Sequence, residues 1–188
     1  MKRALFIAAT MAIAAPQVFA QANNFEGFSI GANAETAAAT TTLIGTASDT
    51  NTDTGLALQA QYTFALAPQF TLGVGATLGT NTLKTGAING VTYSTKDKAS
   101  FDLVPGYAIS DTTLLYGKLS ALSGTVAADA NSVGSSSSLS GVGYGLGVRY
   151  LINKNVFVQG DINSNRYNDV NTTGLSETTY AFGVGYKF

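Results

Sequence analysis

The chain of 188 residues contains no cysteine, no histidine and no tryptophan. Without cysteine, neither a disulfide framework nor a thiolate metal site can form. Without histidine, the usual general base is missing, so Ser-His-Asp and Cys-His catalysis cannot be assembled. Paired carboxylates could still act, but Asp49 and Asp53 lie in a stretch rich in Thr and Ser and are more typical of solvating charges. We therefore expect no catalysis, no cofactor and no metal.

Charged residues are also scarce, at 11% of the chain. Ten Lys and Arg residues stand against 11 Asp and Glu residues, and without Lys2 and Arg3 near the start the formal net charge is −3. No run of basic residues occurs, and a clustered basic patch is what binding to nucleic acid requires. Nucleic acid is therefore not an expected partner.

Long apolar runs are missing apart from one near the N-terminus, where residues 4–15 follow Lys2 and Arg3. The sequence Val18-Phe19-Ala20 then places small residues where a signal peptidase cleaves, so residues 1–20 read as a Sec-type signal peptide cleaved after Ala20. Residues 21–188 are expected to form one domain. No segment approaches the roughly 20 apolar residues of a membrane-spanning helix, so any membrane span must be made of strands.

The last nine residues, Y-A-F-G-V-G-Y-K-F, alternate strictly between large apolar residues and small or polar ones. Side chains point alternately to the two sides of a strand, so this segment has one apolar face and one face of small residues. Seven more segments repeat the pattern. The eight predicted strands cover residues 27–35, 56–64, 70–78, 101–109, 115–121, 142–150, 156–164 and 180–188.

The connections between these strands alternate between long and short. We predict long loops at residues 36–55, 80–97, 123–138 and 165–176, and short turns at residues 65–69, 110–112 and 152–155. Outer-membrane barrels have long extracellular loops and short periplasmic turns. A soluble β-sandwich also alternates, but its polar face usually carries Lys and Glu, whereas here that face is mostly Gly, Ser, Thr, Ala and Gln. The pattern favours an all-β, eight-stranded antiparallel up-and-down transmembrane β-barrel.

With these features, residues 21–188 resemble the small eight-stranded outer-membrane proteins, such as the membrane domain of OmpA and the OmpX/Ail group. The resemblance rests on the signal peptide, the eight alternating strands, the L-Y-G-K-L motif at residues 115–119 and the terminal Tyr186-Lys187-Phe188. It implies a monomer in the bacterial outer membrane, surrounded by lipid. It also implies that periplasmic chaperones and the barrel-assembly machinery handle the chain, with Tyr186 and Phe188 as the assembly signal.

Several charged residues fall on the inward parity of the predicted strands, where a charge is costly unless it is paired or hydrated. Turn register places Asp102 nearly opposite Lys118, and Arg149 opposite Gln159 and diagonal to Asp161. These charges are expected to form a network that plugs the lumen and fixes the register of the strands. The alternative is an ion-selecting gate in a passive small channel. The predicted network comprises Glu35, Asp102, Lys118, Arg149 and Asp161, with Lys187 on the same parity.

Two further features complete the sequence predictions. Pro105 lies inside the fourth predicted strand and removes a backbone hydrogen-bond donor, which predicts a β-bulge or a shifted register there. Tyr93, Lys84, Lys96 and Lys98 form a candidate cluster for an unknown extracellular ligand, although a solvated hairpin is the plainer interpretation.

Overall fold

A computed structural model describes residues 22–43, 47–80, 83–88, 91–130, 133–170 and 173–188. A short 3-10 helix, Ala22–Phe25, precedes nine strands, and no helix among the described residues is long and apolar enough to cross a membrane. The predicted signal peptide and its cleavage site at Ala20 lie outside the described residues. The strands are β1 Gly27–Leu43, β2 Ala47–Ala65, β3 Phe70–Gly79, β4 Leu83–Ile88, β5 Val91–Ala108, β6 Thr113–Ala130, β7 Val133–Leu151, β8 Val156–Val170 and β9 Thr173–Lys187.

The strands form one closed antiparallel barrel. Sequential neighbours pair from β1 to β3 and from β5 to β9, β9 pairs with β1, and the pairing of β3 with β5 closes the ring. β4 pairs with the first residues of β5 and lengthens a hairpin without entering the wall. Eight strands therefore form the wall, which confirms the predicted fold. We call the end with the three short turns the turn end, and the opposite end the hairpin end.

The predicted parity of the strands is confirmed by burial. Leu146 is 70% exposed and Val142 and Phe182 are 66% exposed, whereas Asp102 is 1% and Arg149 is 4% exposed. Aromatic and aliphatic side chains cover the outside as an apolar band, and polar side chains fill the middle of the lumen. This distribution reverses that of a soluble sandwich, whose interior is apolar.

The four predicted long loops are wrong. Most residues assigned to them continue the strands beyond the apolar band and form ladders, as in the pairing of Thr36 with Thr54 and of Thr40 with Thr50. Threonine is β-branched and favours extended backbone, and the pairs of hydroxyls across the two strands lie 3.4 and 3.0 Å apart. The apolar alternation therefore marked the band and not the full length of the strands. The three short turns are confirmed, at most one residue from their predicted bounds.

Pro105 introduces no bulge, so that prediction is wrong as well. The pairs Leu103–Leu119 and Gly106–Tyr116 on its two sides keep the same register, and on the other edge Leu72 pairs with Pro105 itself. In an antiparallel ladder each N–H points to one neighbouring strand only. The donor missing at Pro105 therefore affects only the ladder to β6, and flanking pairs hold the register. The only register shift between β5 and β6 lies between Lys96 and Ala99.

Candidate functional site in the barrel lumen

The turn end of the lumen is closed by an apolar cluster. Phe25 is 1% exposed, and it packs with four side chains from the wall: Ala108, Leu114, Leu151 and Phe157. The 3-10 helix is held against two turns, since the Ala22 amide donates to the Pro68 carbonyl over 2.9 Å and Asn24 Nδ2 donates to the Asp111 carbonyl over 3.1 Å. We call this group of five side chains the turn-end cluster.

Arg149 lies next to the turn-end cluster, in the first polar layer of the lumen. Its Nε and one terminal nitrogen donate to Gln159 Oε1 over 3.1 and 2.8 Å, which agrees with the predicted pairing of the two residues. Gln159 Nε2 in turn donates to Asn33 Oδ1 and Gln59 Oε1 over 3.0 and 2.6 Å. The layer thus links four strands through amide groups around one buried cation.

The predicted contact between Arg149 and Asp161 is not formed. Among the described residues no carboxylate lies within 4.0 Å of the guanidinium group. Asp161 instead accepts hydrogen bonds from Tyr116 Oη over 3.0 Å and from Asn163 Nδ2 over 2.5 Å. Asp161 pairs in register with Gly147, and the missing side chain there gives Tyr116 the room to reach the carboxylate. The phenol and the amide therefore replace the cation that diagonal spacing had suggested.

Asp102 is the centre of a second polar layer. Its register partner is Ser120, while Lys118 lies two residues further along the same face of β6 and places its Nζ 3.5 Å from Asp102 Oδ2. Ser120 Oγ donates to Oδ1 over 2.6 Å and Thr77 Oγ1 to Oδ2 over 2.7 Å. The carboxylate is thus buried with two neutral donors and one cation, which is the condition for keeping a charge inside a protein.

A second ion pair lies nearer the hairpin end and was missed by the sequence reasoning. Lys98 Nζ is 2.5 Å from Glu177 Oε1, which also accepts a hydrogen bond from Thr179 Oγ1 over 2.8 Å. Lys98 and Glu177 each lay between a predicted long loop and the next predicted strand. Extending the alternation of β5 and β9 outward by a few residues would have found them, because Lys98 shares the parity of Asp102 and Glu177 that of Lys187. Lys98 was predicted to belong to the candidate cluster for an extracellular ligand, but its side chain points into the lumen. The side chains of Lys84 and Tyr93, from the same cluster, are not among the side chains that the structure describes.

Glu35 shares a small cavity with the two lysines. The cavity has a volume of about 50 Å³, and its lining includes Glu35, Lys98, Lys118, Asn163 and Tyr167. Since one water molecule occupies about 30 Å³ of liquid, the space suits one or two waters. Glu35 forms no ion pair within 4.0 Å among the described residues, but it faces the same polar space as both cations. Lys187, also on the inward parity, donates from Nζ to the Glu26 carbonyl over 3.1 Å at the turn end.

A second apolar cluster closes the lumen toward the hairpin end. Ala39, Leu139, Tyr167 and Leu175 are buried together, and Leu122 packs against them. We call it the hairpin-end cluster. Strand β8 passes through every layer, because its inward residues are, in order, Phe157, Gln159, Asp161, Asn163, Asn165 and Tyr167. The lumen is therefore apolar near both ends and polar between them.

Lumen glycines leave the space that these large side chains occupy. A Cβ at Gly147 would overlap the Tyr116 ring, and one at Gly145 would overlap the Asn163 amide. A Cβ at Gly185 would overlap the Phe157 ring and would lie 2.6 Å from the Ile30 carbonyl oxygen. The glycine file of β7 thus serves to accommodate side chains from neighbouring strands. Among the described residues, no group of three or more acidic side chains is placed to hold a metal ion.

Comparison with known proteins gives one family and several similar structures. The outer membrane protein beta-barrel domain family matches residues 4–188. The crystal structure of Ail from Yersinia pestis is 19% identical, with a TM-score of 0.59 over 87% of this chain and 99% of Ail. Neisserial surface protein A is 17% identical, with a TM-score of 0.59 over 87% of this chain and all of that protein. OprG from Pseudomonas aeruginosa is 15% identical, with a TM-score of 0.53 over 87% of this chain and 96% of OprG. A search of curated proteins found no significant match.

Proposed function

Because this chain belongs to the outer membrane protein beta-barrel domain family and is a barrel of the bacterial outer membrane, we propose that it is a non-catalytic, plugged barrel that supports hairpins at the cell surface. Its apolar band provides the lipid-facing wall, and its lumen provides internal cross-links between strands. In this proposal the lumen charges Glu35, Asp102, Lys118, Arg149 and Asp161 stabilise the barrel and do not select ions.

The observation that carries the proposal is the layering of the lumen. The turn-end cluster and the hairpin-end cluster enclose polar layers in which Asp102, Arg149 and Glu177 are at most 4% exposed. An ion crossing this lumen would have to shed its water and displace buried hydrogen-bonded groups. Eight strands enclose little space beyond that of their own side chains. The arrangement therefore supports a plug over the passive small channel.

The surface role in this proposal belongs to the hairpins that rise above the apolar band. In the hairpin of β1 and β2, paired threonines stiffen an extended sheet that places hydroxyl groups outside the membrane. Any extracellular ligand of this chain would meet these hairpins first. Toward the periplasm, the barrel-assembly machinery would recognise β9 through Tyr186 and Phe188, whose side chains are 44% and 64% exposed on the outer face. Biogenesis would also involve periplasmic chaperones, and the folded protein would be a monomer.

Planar-bilayer recordings on the refolded full-length mature protein test the plug. We expect the wild-type barrel to give no discrete conductance, and we expect steps to appear when both clusters are opened by Phe25→Ala together with Leu139→Ala. Phe182→Ala is the matched control, because that side chain lies outside the wall and is 66% exposed. Discrete conductance of the wild-type protein, or steps of equal size in the opened variant and the control, would favour the passive channel.

A further inference from the structure

Arg166 lies on the outer face of β8 at the upper border of the apolar band. It pairs in register with Val142, the outward apolar residue of β7 that lies nearest the hairpin end. From Val142 to Tyr150 the outward residues of β7 are apolar, which is about 27 Å along the strand and about 20 Å along the membrane normal at the usual tilt. The backbone of Arg166 is thus level with the boundary between hydrocarbon and headgroups.

The described side chains around Arg166 are polar and include no negatively charged group. The outward polar residues described around Arg166 on β7, β8 and β9 carry hydroxyl or amide groups, namely Ser138, Ser140, Ser164, Asn168, Ser176 and Thr178. Asn168 Nδ2 donates to Ser140 Oγ over 3.0 Å beside the arginine. The carboxylates on these three strands whose side chains are described, Asp161 and Glu177, point into the lumen. Arg166 is exposed and has no ion pair within the described part of the chain.

This contrasts with the treatment of cations elsewhere in the barrel. Lys98 and Lys118 each form an ion pair with a carboxylate in the lumen. The Arg149 guanidinium lies over an aromatic ring, that of Phe157, and donates hydrogen bonds to Gln159. Arg166 alone of the described cations on β7, β8 and β9 faces outward at the hairpin-end border of the band. A guanidinium group at that depth costs little if it reaches the interface, and its planar fork suits two oxygens of one phosphate.

We propose that Arg166 binds a phosphate group of a phosphorylated glycolipid in the outer leaflet of the outer membrane. The acyl chains of that lipid lie against Val142 and Tyr144, which are 66% and 63% exposed below the arginine. The hydroxyl and amide groups around Arg166 hydrogen-bond to the sugar oxygens. The site is on the outer wall, so it is independent of whether the lumen conducts.

Lipid retention by the refolded full-length mature barrel tests this site. The protein in detergent is mixed with diphosphorylated lipid A or with the same glycolipid after removal of both phosphates, and bound lipid is counted by native mass spectrometry. We expect the phosphorylated lipid to be retained about tenfold better than the dephosphorylated one, as one charge-assisted bond implies. Equal retention of the two lipids by the wild-type barrel would overturn the proposal without any variant.

Arg166→Gln then locates the binding. It should lower retention of diphosphorylated lipid A by about tenfold and leave the dephosphorylated lipid unchanged, while Arg166→Lys should restore part of the loss. Lys154→Gln is the matched control, because Lys154 is an exposed cation in a turn at the opposite end. The heat-dependent gel shift of folded barrels confirms that each variant is folded. If Lys154→Gln lowers retention as much as Arg166→Gln, the assignment to this site is wrong. If free inorganic phosphate displaces the lipid at equal concentration, the ligand is a free phosphate and the assignment to a glycolipid is wrong.

Discussion

The guanidinium carbon of Arg149 lies 4.2 Å from the centre of the Phe157 ring, directly over its face. Phe157 belongs to the turn-end cluster, whereas Arg149 belongs to the first polar layer, so this contact joins the two regions of the lumen. A cation over an aromatic ring is stabilised most when both are removed from water, and here both side chains are at most 4% exposed. The ring therefore takes part of the role that a carboxylate would otherwise have for this arginine.

Phe157→Ala tests that role together with the packing of the cluster. We expect it to lower the free energy of unfolding by about 3–5 kcal/mol, the usual cost of removing a buried phenylalanine side chain. The measurement is urea-induced unfolding in lipid vesicles, followed by tyrosine fluorescence. Phe182→Ala removes the same atoms from the lipid-facing side and should cost clearly less. Similar losses in the two variants would show that the turn-end cluster contributes no more than the outer surface.

The contact of Asp102 with Lys118 predicts an energetic coupling of the two side chains. Lys118→Met leaves the Asp102 carboxylate with only Thr77 and Ser120 as donors, and an unpaired buried charge retains its desolvation cost. In a double-mutant cycle with Asp102→Asn, we expect a coupling free energy of about 1 kcal/mol or more. Unfolding in vesicles gives the four free energies, and additive losses would contradict the contact. Conductance gained by Lys118→Met alone would instead identify the pair as a gate.

The parts of the fold inside the membrane were predictable, because lipid on one side and a narrow lumen on the other impose a two-residue alternation. The same parity placed Asp102 and Lys118 on the same face of neighbouring strands, two residues apart in register. Beyond the band both faces of a strand meet polar surroundings, so the alternation of apolar residues ends while the hydrogen-bonded ladder continues. That is why the threonine-rich hairpin of β1 and β2 was predicted to be a loop.

The partners of the lumen charges were only partly predictable. The register of two strands determines which backbone positions face each other, but the direction of a long side chain depends on the space around it. Tyr116 reaches Asp161 because Gly147 has no side chain, and Arg149 turns to Phe157 because the cluster below offers a ring. These side-chain directions arise from packing among several strands, and the spacing of residues on two paired strands carries no information about that packing.

The lumen glycines predict a contrast between two alanine substitutions. Gly185→Ala would push a methyl group into the Phe157 ring and to 2.6 Å from the Ile30 carbonyl oxygen, so part of the wall must shift. At Gly160, on the outer face, the nearest atom to an added Cβ is the Ala181 carbonyl oxygen at 3.7 Å, which is ordinary contact. We expect Gly185→Ala to destabilise by about 1–3 kcal/mol, the usual cost of overpacking. Gly160→Ala should be close to neutral, and equal effects in the vesicle assay would mean that the lumen is less tightly filled than described.

Arginine substitutions along β7 test the position of the apolar band. Leu146 is 70% exposed at the middle of the outward apolar residues of this strand, so Leu146→Arg places a cation near the bilayer midplane. It should destabilise by about 2–4 kcal/mol, whereas Ser140→Arg, above the band on the same face, should cost about 0–1 kcal/mol. Gly145→Arg points into the lumen, where even a Cβ would lie 2.7 Å from the Ile162 carbonyl oxygen, and we expect it to prevent folding. Equal tolerance of arginine at Leu146 and Ser140 would mean that the band does not contact hydrocarbon. A folded Gly145→Arg barrel would reverse the assignment of the two faces of β7.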